Sequence, residues 1–150
     1  MIIRKTTIND INRLYEIEKS SFDINKYHIL KKRQIKYLIT KANSEVWLAE
    51  VNNNVCGYIV VLFKKNSLIG RLYSIAVAPP FQGGDVGKIL FIFAEKLVKE
   101  KSKKFISQEI RKDNFKLFNR YMSLGYRNIG VLKEYYPDNG DGIKLIKELL

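Results

Sequence analysis

The stretch Leu72–Leu90, LYSIAVAPPFQGGDVGKIL, decides how the chain is read. Its first part, Leu72 to Ala78, is largely apolar and carries β-branched Ile75 and Val77, which predicts a strand. Pro79 and Pro80 stop it, because proline has no N–H to give a ladder. Gln82, Gly83, Gly84, Asp85, Val86 and Gly87 then form a glycine-rich turn. From Lys88 the spacing is helical, with Leu90, Phe93, Ala94 and Leu97 on one stripe. A glycine-rich turn that opens a helix is a ready anion site. The first N–H groups have no helical partner, the helix dipole adds positive potential, and the missing side chains let a phosphate approach. The stretch therefore predicts a phosphate cradle over Gln82 to Lys88.

The elements on either side place that cradle. Ile2 and Ile3 predict a short first strand. Thr7 with Asp10 has the form of a capping box, and Ile8, Ile11, Leu14, Tyr15 and Ile17 keep helical spacing to about Ser20. A loop from Ser21 to Tyr27 leads to a second helix over Ile29 to Lys41. From Glu45 the period changes to that of strands. Val46 to Ala49, Val55 to Lys64 and Leu68 to Ala78 predict an antiparallel meander, with a turn at Asn52, Asn53 and Asn54. After the helix that starts at Lys88, Lys103 to Arg111 predicts a strand. The crossover between them makes the two flanking strands parallel neighbours. Asp113 or Asn114 caps a helix to about Leu124, which Gly125 ends. Tyr126 to Tyr136 and Gly142 to Leu149 predict a closing antiparallel pair joined by PDNGDG. The order is β-α-α-β-β-β-α-β-α-β-β. It predicts one α+β domain over residues 1–150, with a mixed, mostly antiparallel sheet of about seven strands and helices on both faces.

Composition bounds the function. The chain has 150 residues, 46% of them hydrophobic and 28% charged, which suits one globular domain. The opening MIIRKTTIND has no apolar region of the kind that leads a secreted chain, and no apolar run is long enough to span a bilayer. The expected location is cytoplasmic, with no membrane partner. The single cysteine, Cys56, excludes an internal disulfide and reads as a small core residue. The single histidine, His28, offers no cluster for a metal, so no metal site is expected. The net charge of +12 fits a nucleic acid, a ribosomal surface or a polyanionic small molecule, as well as a lysine-rich solvated surface. The basic residues are spread along the chain rather than in a stripe, which argues against nucleic acid as the main partner.

The cradle follows an antiparallel strand rather than an opening βαβ unit, which argues against a dinucleotide fold. It also lacks the Gly-Lys-Ser/Thr ending of a nucleoside triphosphate loop. With Gln82 and Gly87 at its ends, it resembles the Gln/Arg-x-x-Gly-x-Gly/Ala loop of the GCN5-related N-acetyltransferase (GNAT) superfamily. In that family the loop holds the pyrophosphate of acetyl-CoA. Asp85 stands where the middle glycine belongs, and a carboxylate beside a pyrophosphate is repulsive. Glu109-Ile110-Arg111-Lys112-Asp113-Asn114 resembles the Glu-Val-Arg-x-Ser-Asn segment of the RimI-type ribosomal-protein alanine and protein N-terminal acetyltransferases. Asn114, Leu117, Tyr121, Gly125 and Tyr126 are similar to their Asn-x-x-Ala-x-x-x-Tyr-x-x-x-Gly-Phe. Tyr135-Tyr136-Pro137 followed by Gly140 resembles their turn beside the peptide N-terminus.

The resemblance implies acetyl transfer to an amine with acetyl-CoA as cosubstrate and no metal. Glu109 takes the role of base, directly or through water, and Tyr121 that of acid. The implied cofactor contacts are Ile75, Ala76, Val77, Gln82, Gly83, Gly84, Asp85, Val86, Gly87, Lys88, Asn114 and Tyr121. Phe22, Tyr135 and Tyr136 line the acceptor side. The residues themselves leave other readings open. Glu109, in a largely apolar strand, must be paired or face a cleft, so it can equally form a salt bridge to a nearby lysine. Tyr121 can equally be a core aromatic with a satisfied hydroxyl. A small amine such as a polyamine is an alternative acceptor, although a +12 chain is a poor host for a polycation. A non-catalytic binding module of the same fold is another, and a monomer and a homodimer both fit.

Overall fold

The computed structural model describes residues 1–150. The third strand, β3 (Asn54–Phe63), is buried without a break from Cys56 to Val61, so the sheet around it is covered on both faces. Seven strands form that sheet in the order β1-β2-β3-β4-β5-β7-β6. The others are β1 (Ile2–Lys5), β2 (Ser44–Val51), β4 (Ile69–Val77), β5 (Phe105–Arg111), β6 (Arg127–Leu132) and β7 (Gly142–Glu148). Every neighbouring pair is antiparallel except β4 and β5. Four helices complete the chain: α1 (Ile11–Ser21), α2 (Lys32–Thr40), α3 (Val86–Glu100) and α4 (Phe115–Ser123). The mixed α+β sheet expected from the pattern, with helices on both faces, is the one observed.

Strand alternation divides the core in two. Ile59, Val61 and Phe63 of β3 share one cluster with Leu90, Ala94 and Val98 of α3, and with Tyr121 of α4. Tyr58 and Val60 share the other with Leu14 and Ile17 of α1 and Ile35 of α2. Cys56 lies in the first cluster, fully buried as a core residue. Asn52 and Asn53 take the left-handed angles that turn β2 into β3. No helix is long and apolar enough to cross a membrane.

Several boundaries differ from the sequence expectation, and where two were open the structure takes one. The second helix starts at Lys32 rather than Ile29. The Leu30 N–H goes instead to the buried carboxylate of Glu18 (2.9 Å), which keeps that segment extended. The helix after the glycine-rich turn starts at Val86 rather than Lys88, with Asp85 at its N-cap position. Of the two caps considered for α4, Asn114 is the one used, its Oδ1 accepting from the Leu117 N–H at 3.2 Å. The strand expected to Tyr136 ends at Leu132, so Tyr135 and Tyr136 lie in the connection to β7.

Candidate active site

β4 and β5 pair over only three residues, Ile69 with Phe105, Gly70 with Ile106 and Arg71 with Ser107. Both strands continue beyond, β4 to Val77 and β5 to Arg111, without a partner between them. The break falls beside a bulge. Val60 of β3 faces Ser74 and Val61 faces Leu72, which leaves Tyr73 as the extra residue of β4. A bulge bends and twists its strand, and here it turns β4 away from β5. The unpaired edge of β4 carries Ile75, Ala76 and Val77, the segment expected to hold an extended ligand arm.

A cavity of about 220 Å³ fills the gap. Alternation along β5 sends Gln108 and Ile110 to the face of α3 and α4, and Glu109 and Arg111 to the face of α1 and α2. The cavity is lined from both faces, by Tyr121 and Leu117 of α4 on one side and by Glu18 and Phe22 on the other. It passes through the sheet where the ladder fails.

Glu109 lines this cavity with its side chain 10% exposed. Its Oε1 lies 2.7 Å from Nη2 of Arg71, so the partner is an arginine at the last paired position of β4 rather than the lysine considered from the sequence. That pairing offsets the cost of burying the carboxylate. Nη2 of Arg71 also donates to the Tyr135 hydroxyl at 3.2 Å, and the guanidinium stands 5.1 Å from the Tyr73 ring centroid.

Tyr121 is buried in a triad with Phe91 and Tyr126, with ring centroids 5.3 and 5.4 Å away. Burial pushes its phenol up, so the hydroxyl keeps its proton through the neutral range. The nearby Gln108 amide opposes the shift without closing a well-formed bond, since Gln108 Nε2 is buried with no partner. Tyr121 is thus both a core aromatic and a cavity residue, and its hydroxyl is not tied up by the core.

The acceptor face is aromatic. Phe22 packs on Tyr27 (5.3 Å), Tyr27 on Tyr136 (5.5 Å) and Tyr136 on Tyr135 (5.1 Å). Arg111 holds these segments together. It is 6% exposed and donates to the Lys26 carbonyl, to Asp113 and to Asp138, with its guanidinium 4.9 Å from the Tyr136 ring centroid.

The cradle lies outside the cavity, at the start of α3. The first bond of that helix runs from Ile89 N–H to Asp85 C=O, so the N–H groups of Val86, Gly87 and Lys88 have no helical partner. Gly83 supplies the left-handed turn (φ 82°). Asp85 does not take glycine-like angles. It sits at φ −92°, ψ −6°, exposed and without a capping bond. The Gln82 amide donates to the Val77 carbonyl at 2.8 Å and straps the turn to the end of β4.

Of the residues expected from the sequence, the cavity brings together Phe22, Ile75, Glu109, Tyr121, Tyr135 and Tyr136. It does not reach Ala76, Val77, Asn114 or the turn from Gln82 to Lys88. The sequence reading missed Arg71, Tyr73, Tyr27 and Glu18. Their signal was faint: an arginine among the apolar residues of β4, and a glutamate in the apolar stripe of α1.

Known proteins resemble this chain in sequence and in fold. A family model described as the acetyltransferase (GNAT) family matches residues 11–126. A Bacillus subtilis (strain 168) protein, provisionally named a ribosomal protein bS18-alanine N-acetyltransferase, is 29% identical, covering 93% of this chain and 89% of its own. The ribosomal protein bS18-alanine N-acetyltransferase of Haemophilus influenzae is 30% identical, covering 94% of this chain and 91% of its own. The crystal structure of the ribosomal-protein-S18-alanine N-acetyltransferase from Escherichia coli has the same fold. It is 17% identical with a TM-score of 0.86, covering 98% of this chain and 92% of that one.

Proposed function

This chain belongs to the acetyltransferase (GNAT) family, and from that premise we propose that it moves an acetyl group from acetyl-CoA to the N-terminal α-amine of a protein. One observation carries the reading: Glu109 and Tyr121 line a single cavity from opposite faces of the sheet, where β4 and β5 part. The acceptor and the cofactor can therefore meet without sharing an entrance. The bS18-alanine specificity of the Haemophilus influenzae relative supports a protein terminus as the acceptor. The whole of residues 1–150 serves as one catalytic domain.

Acetyl-CoA supplies the thioester. The N–H groups of Val86, Gly87 and Lys88 fit its pyrophosphate, and the open edge of β4 from Ile75 to Val77 fits its pantetheine arm. Asn114, whose carbonyl caps α4, retains its NH₂ for the same arm. Glu109 removes the proton of the attacking amine, directly or through one water. Tyr121, held protonated by burial, gives its proton to the departing sulfur. Phe22, Tyr135 and Tyr136 orient the acceptor.

The test is an acetyl-transfer assay on peptides with different first residues, run beside spermidine and free lysine. Peptides are expected to react at the α-amine. Turnover of spermidine above that of every peptide would overturn the protein reading in favour of a small amine. The half-exposed Arg71 that lines the cavity weighs against a polycation.

A further inference from the structure

Arg71 has donors to spare. A guanidinium carries five N–H groups. Nη2 serves Glu109 and Tyr135, while Nε is buried with no partner and Nη1 bonds to nothing in the protein. An idle donor of a charged group is costly where water is scarce. The other charged groups of the cavity have hydrogen-bond partners in the protein. Arg111 is matched by Asp113 and Asp138, and Glu18 accepts from the Leu30 N–H and the Tyr58 hydroxyl.

Arg71 and Glu109 balance each other only while the cavity is empty. An incoming α-ammonium engages Glu109, and the Arg71 charge is then left over. A carboxylate on the acceptor, within a few ångströms of its amine, restores neutrality and takes up the idle donors in a fork-shaped, charge-assisted contact. We infer that Arg71 is a specificity-determining residue that selects acceptors with an acidic side chain on the first or second residue. This inference rests on the protein α-amine reading above. A lysine at the same place adds a second uncompensated cation beside Arg71 and is rejected.

The test compares kcat/KM across peptides that differ only at the first two residues, as neutral, acidic or lysine variants, with free aspartate as a further arm. The wild type is expected to favour acidic peptides over neutral ones by about tenfold or more, the size of one charge-assisted contact. In Arg71→Gln that ratio falls towards one whatever happens to the absolute rates, and Arg71→Lys restores part of it. Thermal melts of each variant show that it is folded. A flat preference in the wild type, or a ratio unchanged in Arg71→Gln, overturns the inference and leaves the α-amine reading standing. Free aspartate turned over as fast as the acidic peptides keeps the Arg71 contact and overturns the protein acceptor. No transfer to any peptide overturns both.

Discussion

Nη2 of Arg111 lies 2.8 Å from Oδ2 of Asp138, and this pair ties the end of β5 to the connection between β6 and β7. The same guanidinium donates to the Lys26 carbonyl, so it spans the two segments that supply the aromatic wall of the cavity. The partnership, with the Gly140 N–H, also lowers the pKa of the Asp138 carboxyl. Arg111→Met should free both segments while the α3 cradle stays intact. The KM for an acceptor peptide is expected to rise on the order of tenfold, the weight of one or two charge-assisted hydrogen bonds. Calorimetry should show acetyl-CoA affinity unchanged. A fall in kcat with KM unmoved would mean that Arg111 acts elsewhere.

Glu109→Gln keeps the shape of the side chain and removes the base. Turnover should fall about a hundredfold or more, the usual contribution of a positioned general base. Acetyl-CoA binding should be little changed. Turnover close to that of the wild type would take the proton-transfer role away from Glu109.

Tyr121→Phe separates the two uses of this ring. The packing against Phe91 and Tyr126 involves the ring alone, and the hydroxyl closes no well-formed bond in the core. Stability should therefore change by no more than about 1 kcal/mol, the net worth of one hydrogen bond, read from the denaturant midpoint. The kcat should drop while the KM for the acceptor holds. A large loss of stability with normal turnover would make Tyr121 a core residue only.

The fold was legible because it is written in local signals. The apolar run and proline stop of β4, the glycine-rich turn, the stripe of α3 and the Asn114 cap all survive in the structure. The split between β4 and β5 was not legible. It depends on Tyr73 bulging from a register that β3 sets, which no residue of β4 reports alone. Arg71 was missed for a similar reason. Its partner Glu109 lies on the next strand of the sheet, 38 residues on in sequence, and only the parallel crossover brings the two together. The Glu109 and Tyr121 pair was found from its spacing in a motif, not from the fact that the two reach one cavity through opposite faces.

Asp85→Asn tests the departure in the cradle. The carboxylate is exposed at the first turn of α3 beside the unpaired N–H groups of Val86 to Lys88. There it interacts favourably with the helix dipole and competes with a bound pyrophosphate for the same field. Because its φ is −92°, the backbone needs no glycine, and Asn removes charge alone. Acetyl-CoA should bind about two- to fivefold more tightly, the range of an exposed dipole interaction. The gain should shrink as salt is added. Equal affinities at low salt would mean that the carboxylate points away from the cofactor.

Glu18 makes stability depend on pH. Its carboxyl is buried, and burial raises its pKa although the Leu30 N–H and the Tyr58 hydroxyl pull the other way. At pH below the usual carboxyl range both the folded and unfolded chains hold the proton, and the group contributes nothing. As pH rises past the unfolded value, the unfolded chain loses its proton first. The folded chain then binds the extra proton, so stability falls with pH until the folded group also ionises, and the loss is complete above that point. Glu18→Gln accepts the Leu30 N–H with no charge to bury. Measured by denaturant midpoints from the usual carboxyl range up to pH 8, the variant should gain on the wild type as pH rises and then level off. Asp10, Asp113 and Asp138, whose pKa values are lowered by Arg4 and Arg111, titrate below this window and in the same way in both proteins. A difference that stays constant across the window would show that the buried carboxyl does not titrate there.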